Sequence, residues 1–128
     1  MIAIIDYGLG NLKAFVNIYK KLDISVKLAK CEKDLEGVSK IILPGVGAFD
    51  FAINKLNQSG MRKRIDHLIL EKKIPVLGIC VGMQILANSS DEGRCIGLGY
   101  LNGEVKKFDN ICIPTQMPNT GIFFSNIR

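Results

Sequence analysis

The sequence predicts an α/β fold, an open, doubly wound, mostly parallel sheet flanked by helices. Two observations carry this. Apolar runs of strand length alternate with segments of helical period, the pattern of parallel strands joined by crossover helices. The runs Ile41-Ile42-Leu43 and Ile74-Pro75-Val76-Leu77 are continuous, as strands covered on both faces are.

Met1 to Ile5 is a short apolar strand ending at the turn-rich cluster Asp6-Tyr7-Gly8-Leu9-Gly10-Asn11. Leu12, Phe15, Val16, Tyr19 and Leu22 then recur at helical spacing, and Ile24, Val26 and Leu28 alternate with polar residues as in a strand with one solvated face. The strand at Ile41-Ile42-Leu43 suits the middle of the sheet and stops at Pro44-Gly45-Val46-Gly47. Phe49, Ala52, Ile53 and Leu56 mark a helix, Ser59-Gly60 breaks it, and Met61, Ile65, Leu68 and Ile69 mark another. After the strand at 74–77, a helix is expected over 81–87, then a polar loop from Asn88 to Gly93, a turn at Gly97-Leu98-Gly99-Tyr100 and a strand over 103–108. From Asp109 no helical or strand period can be read. Ligands of such sheets sit at the carboxyl ends of the strands, which groups three loops on one edge: Asp6 to Asn11, Pro44 to Gly47, and the turn at Cys80.

A length of 128 residues at 48% hydrophobic suits one domain with a real core. No segment has a secretory leader's composition and no apolar run reaches the length of a membrane span, so a soluble cytoplasmic protein without membrane association is expected. The four cysteines, at 31, 80, 95 and 112, have neither zinc-site spacing nor the density of a disulfide scaffold; reduced thiols and no metal are expected. The net charge of +5 is spread over Lys20-Lys21, Arg62-Lys63-Arg64, Lys72-Lys73 and Lys106-Lys107 without interleaved aromatics. That argues against nucleic acid and for solvated helix ends or an acidic protein partner. Gly8-Leu9-Gly10 lacks the third glycine of a dinucleotide fingerprint and no Walker pattern occurs, so no nucleotide or other cofactor is expected.

The residue that stands out is Cys80, in Gly78-Ile79-Cys80-Val81-Gly82-Met83-Gln84. A cysteine with glycine two residues away on each side, between a buried strand and a helix, is the thiol counterpart of a hydrolase nucleophile elbow. A turn this sharp pushes the nucleophile toward positive φ and brings backbone very close on both sides. The sulfur would then face the first free N–H groups of the next helix, which favour thiolate and can hold an oxyanion. The alternative is a small buried apolar residue in a tight turn. Pro44-Gly45-Val46-Gly47 can be a plain strand-end turn, or a loop whose glycines let a peptide plane turn its N–H toward a substrate carbonyl. The one histidine, His67, lies on the helix preceding the nucleophile strand, away from that strand's carboxyl end, and reads as structural.

The chain resembles the class I glutamine amidotransferases and, within them, the glutaminase subunits of imidazole glycerol phosphate synthases. The resemblance rests on Asp6-Tyr7-Gly8-Leu9-Gly10-Asn11-Leu12, on Leu43-Pro44-Gly45-Val46-Gly47-Ala48-Phe49, on Leu77-Gly78-Ile79-Cys80-Val81-Gly82-Met83-Gln84, and on Gly97-Leu98-Gly99 followed by Gly103-Glu104-Val105 and Phe108. It implies that Cys80 attacks the side-chain amide of L-glutamine, giving a glutamyl thioester and ammonia. It implies an oxyanion strand at Gly45, Val46 and Gly47 with the Val81 N–H as second donor, a glutamine contact at Gln84, and a partner interface near Asn11. It also implies a heterodimer with a cyclase subunit of (β/α)8-barrel type, which uses the ammonia to make imidazole glycerol phosphate in histidine biosynthesis.

The likeness covers residues 1–108, with 109–128 an atypical tail. Family members carry Pro-His-Met-Gly-Trp-Asn where this chain has Ile113-Pro114-Thr115-Gln116-Met117-Pro118-Asn119, and they continue to the histidine and glutamate of a Cys-His-Glu triad. The expectation is therefore a domain incomplete at its C-terminus, with an unpaired sheet edge, exposed apolar surface and turnover lowered by the missing base. Two other readings stand beside it: a non-catalytic module that binds a barrel partner, and an ammonia supplier for nucleotide-sugar amination.

Overall fold

The computed structural model describes residues 1–107. Of the strand expected over 103–108 only Glu104–Val105 forms; residue 108 and the tail over 109–128, with Cys112, lie outside the described residues. The element order is β1 (Ile2–Ile5), α1 (Leu12–Lys21), β2 (Val26–Ala29), a 3-10 turn (Glu32–Leu35), β3 (Lys40–Leu43), α2 (Phe49–Gln58), α3 (Arg62–Asp66), β4 (Val76–Gly78), α4 (Val81–Gln84), β5 (Ser89–Ser90) and β6 (Glu104–Val105). Helix α3 runs on into one π turn, His67–Glu71.

Strands β1 to β4 form one parallel sheet in the order β2-β1-β3-β4, with Ile2 opposite Val26 and Lys40, and Ile41 opposite Val76. The chain steps outward from β1 to β2 and then crosses back to β3 on the other side of β1. The topological switch point therefore lies between β1 and β3, where doubly wound sheets open their ligand crevice. β5 and β6 pair separately and in parallel.

The two-residue side-chain period of strands assigns the core. Ala3, Ile5, Ile41, Leu43 and Val76 belong to the main apolar cluster, packed with Phe49, Ala52, Ile53 and Leu56 of α2 and Ile65 of α3. On the opposite face, Ile4 and Ile42 are also buried, so β3 is the covered central strand its composition predicts. That second face is only partly roofed. Among the described residues Ile2, Ile42 and Leu77, with Tyr19 and Ile24, line a shallow groove of about 400 Å³. Among the described residues β4 is an edge strand, and Ile18 and Leu22 on the α1 side stand exposed. The expected open edge and exposed apolar surface are both present there.

Local chemistry sets the helix boundaries. The Asn11 side chain accepts from the Ala14 N–H at 3.3 Å and caps α1, whose last turn carries Lys20 and Lys21 against the helix dipole. The 3-10 turn was not legible in the sequence. It is built by Asp34, whose carboxylate accepts from the Lys30 and Cys31 N–H groups at 2.8 and 3.2 Å, holding its pKa below the ordinary aspartate value. Helix α4 is shorter than the expected 81–87. The Ile85 N–H still donates four residues back to Val81 at 3.0 Å, but Leu86 and Ala87 donate only three residues back, to Met83 and Gln84, so the helix tightens into turns, and the carbonyls of 85–88 left free at its end accept from Leu98, Leu101, Gly99 and Gly97 at 2.8–3.2 Å.

Candidate active site

The three loops expected on one edge of the sheet meet at the carboxyl ends of β1, β3 and β4. Cys80 sits between β4 and α4 with φ 56° and ψ −126°, one of three non-glycine residues at positive φ in the described chain. The strain has visible restraints. The Ile79 N–H donates to the Leu43 carbonyl at 3.0 Å, tying the turn to β3, and the Gly82 N–H donates to the Ile79 carbonyl at 3.0 Å, closing the turn across Cys80. The flanking glycines are required by contact. A Cβ on Gly82 would lie 2.0 Å from the Leu43 carbonyl oxygen, and one on Gly78 would lie 2.5 Å from the Met83 Cα. The Cys80 side chain is left exposed at the surface.

Donors surround this thiol's turn. The Cys80 carbonyl accepts from the Met83 and Gln84 N–H groups at 2.9 and 3.2 Å, while the Val81 N–H has no acceptor among the described residues. The N–H groups of Gly45, Val46 and Gly47 likewise have none among the described residues. Gly45 lies against the first turn of α4: a Cβ there would come 2.6 Å from Val81 Cγ1 and 2.9 Å from the Gly82 nitrogen. Val46 is 53% exposed, and a Cβ on Gly47, at φ +95°, would meet nothing within 4 Å among the described residues. Free backbone donors near a thiol are the groups that an acyl-transfer oxyanion would require.

Tyr7, from the loop after β1, is a residue the sequence reading used only as part of a signature. Its buried hydroxyl donates to the Pro44 carbonyl at 2.6 Å, bridging the switch point. Burial first, and the nearby Cys80 charge second, push its phenol well above the usual tyrosine range. The signal that could have found it is an aromatic hydroxyl directly after a buried strand, where it needs a partner.

Gln84 follows Cys80 by one helical turn, and its Oε1 is buried with no hydrogen-bond partner among the described residues. Asn11 is exposed at the same edge, with its side-chain oxygen used as the α1 cap. His67 is on the last turn before the amino end of β4, its Nδ1 2.9 Å from the Glu71 carboxylate, so the chain's one imidazole is not brought to Cys80. Cys31 and Cys95 sit in other settings. Cys31 Sγ lies 3.4 Å from Asp34 Oδ2, and burial together with the Asp50 carboxylate pushes the Cys95 thiol up. Among the described residues no cluster of three or more His, Cys, Asp or Glu could hold a metal ion. No described helix is long and apolar enough to cross a membrane.

The sequence matches the family described as "Glutamine amidotransferase class-I" over residues 3–118. The chain belongs to the class I glutamine amidotransferases. It is similar to the imidazole glycerol phosphate synthase subunit HisH of Bdellovibrio bacteriovorus, 60% identical over 111 residues, which is 87% of this chain and 54% of that protein. The protein of the same name from Leptospira borgpetersenii is 57% identical over 85% of this chain and 53% of its own length. The chain thus spans about half the length of the curated relatives it matches. A solved structure titled "Crystal structure of glutamine amidotransferase" superposes with a TM-score of 0.68 at 21% identity, over 82% of this chain and 55% of that one, a likeness of fold.

Proposed function

We propose that this chain carries the nucleophile half of a glutamine amidotransferase that hydrolyses L-glutamine to glutamate and ammonia. Its heterodimer partner would be a (β/α)8-barrel cyclase, which consumes the ammonia in making imidazole glycerol phosphate. The observation that carries the reading is Cys80 at positive φ between β4 and α4, with an unengaged N–H on Val81 next to it and unengaged N–H groups on the 45–47 loop that packs against the first turn of α4. The named relatives support the pathway assignment. Unpaired Cys31, Cys80 and Cys95 suit the reducing cytoplasm, where we place the protein.

In this mechanism Cys80 Sγ adds as thiolate to the δ-carbon of the glutamine side chain. The carbonyl oxygen becomes an oxyanion held by the Val81 N–H and by an N–H of the Val46 or Gly47 peptide. Collapse forms the thioester and expels the amide nitrogen, which takes up a proton and leaves as ammonia. Water then adds to the thioester, releasing glutamate and returning the thiol. Gln84, with its unsatisfied Oε1, would accept a hydrogen bond from the glutamine ammonium group. Both half-reactions move protons, and within these 128 residues the one histidine is turned to Glu71. Positioned acid–base help for these transfers is worth roughly 10²–10⁴-fold, and among the described residues none of it comes from His67. The test is glutamate release by the chain with a barrel cyclase present, in wild type and in Cys80→Ser. Release abolished in Cys80→Ser is expected; release that persists in Cys80→Ser contradicts the reading.

A further inference from the structure

The loop of residues 44–47 must satisfy two opposed demands if it is an oxyanion strand. Its outer peptides must be free to turn an N–H toward the substrate, and its inner end must not move, because Gly45 touches the first turn of α4. A trans peptide couples a carbonyl rigidly to the next N–H, since both lie in one plane and point in opposite directions, and no described peptide is cis. Whatever holds the Pro44 carbonyl therefore orients the Gly45 N–H.

That holder is Tyr7. Its ring is 4% exposed, and its hydroxyl lies 2.6 Å from the Pro44 oxygen and 2.8 Å from where a Gly45 Cβ would be. Gly10, from the same loop, adds a second contact: a Cβ there would stand 3.2 Å from Pro44 Cβ. Beyond Gly45 the restraints end, with Val46 exposed and Gly47 at positive φ. We propose that Tyr7 is a positioning residue of the oxyanion loop: its hydroxyl locks the Pro44–Gly45 peptide across the β1/β3 switch point and confines rotation to the peptides bearing the Val46 and Gly47 N–H groups. The inference rests on the oxyanion reading of that loop. Burial and the Cys80 charge both keep the phenol protonated, so the donor persists when the thiolate forms.

The experiment compares two reactions at Cys80, read by peptide mass spectrometry on the full chain. Iodoacetamide alkylates sulfur by direct displacement and develops no oxyanion; p-nitrophenyl acetate acylates it through a tetrahedral oxyanion. In Tyr7→Phe, acylation is expected to fall roughly tenfold, less than the 10²–10³-fold of deleting an oxyanion donor outright, with alkylation within about twofold of wild type. Incorporation of p-aminophenylalanine at position 7, which restores a donor at the ring's para position, should recover the acylation-to-alkylation ratio even if Tyr7→Phe melts lower. Equal loss of both reactions, or no loss of acylation, overturns the proposal. Val46→Pro, which removes one loop N–H, separates the two claims. If it, or Gly47→Pro, lowers acylation while Tyr7→Phe does not, only the role of Tyr7 fails; if both proline variants leave acylation unchanged, the oxyanion reading itself fails.

Discussion

The Cα of Gly82 faces the Leu43 carbonyl oxygen so closely that a Cβ would stand 2.0 Å from it. This is backbone against backbone, with no flexible side chain to yield, so the Cys80 turn and the end of β3 are built as one unit. Gly82→Ala should destabilise the chain by roughly 1–3 kcal/mol through overpacking. A urea titration checks this, and a midpoint equal to wild type would show that the turn can shift freely.

Cys80 itself is held against its conformational preference. At φ 56° and ψ −126° a side chain is strained by an amount on the order of 1–3 kcal/mol, which glycine escapes. Cys80→Gly should therefore be more stable than Cys80→Ala by about 1 kcal/mol, although both lose the thiol. Equal urea midpoints for the two variants would mean the turn carries no strain at this residue.

The strap between α2 and the loop after β5 depends on ionised Asp50. Its carboxylate accepts from the Arg94 N–H at 2.9 Å and the Cys95 N–H at 2.9 Å, and these bonds hold its pKa below the ordinary aspartate value. A carboxyl depressed in the folded state stabilises the fold above its unfolded pKa of about 4, and that contribution is lost as the pH falls through the folded value. Melting temperatures of wild type and Asp50→Asn should differ most near neutrality and converge in acid below pH 4. A gap that stays constant from neutral to acid would remove ionisation from the explanation.

What the residues revealed, and what they hid, divides along contact range. The strand at 41–43, the breaks at Pro44 and Ser59-Gly60 and the turn at Cys80 are set by neighbours within a few positions, so apolar runs and glycine spacing were enough to find them. The end of α4 at Gln84 is hidden because the apolar period runs on through Ile85, Leu86 and Ala87 while the backbone there tightens to bonds three residues back and docks its carbonyls on residues 97–101, a pairing no local period announces. The hydrogen bond of Tyr7 to Pro44 spans 37 residues and joins two loops only after the sheet has formed. The Asp34 turn was missed for a different reason: a carboxylate gathering two backbone N–H groups leaves no hydrophobic pattern.

The central claim is that Cys80 is the thiol that attacks glutamine, and competitive labelling tests it most directly. The chain is treated with 6-diazo-5-oxo-L-norleucine, a glutamine-shaped electrophile, with and without excess glutamine, and every cysteine peptide is quantified by mass spectrometry. Modification is expected at Cys80 ahead of Cys31, Cys95 and Cys112, slowed by glutamine. Labelling of the other cysteines with Cys80 spared, or labelling of Cys80 that glutamine does not slow, would contradict it.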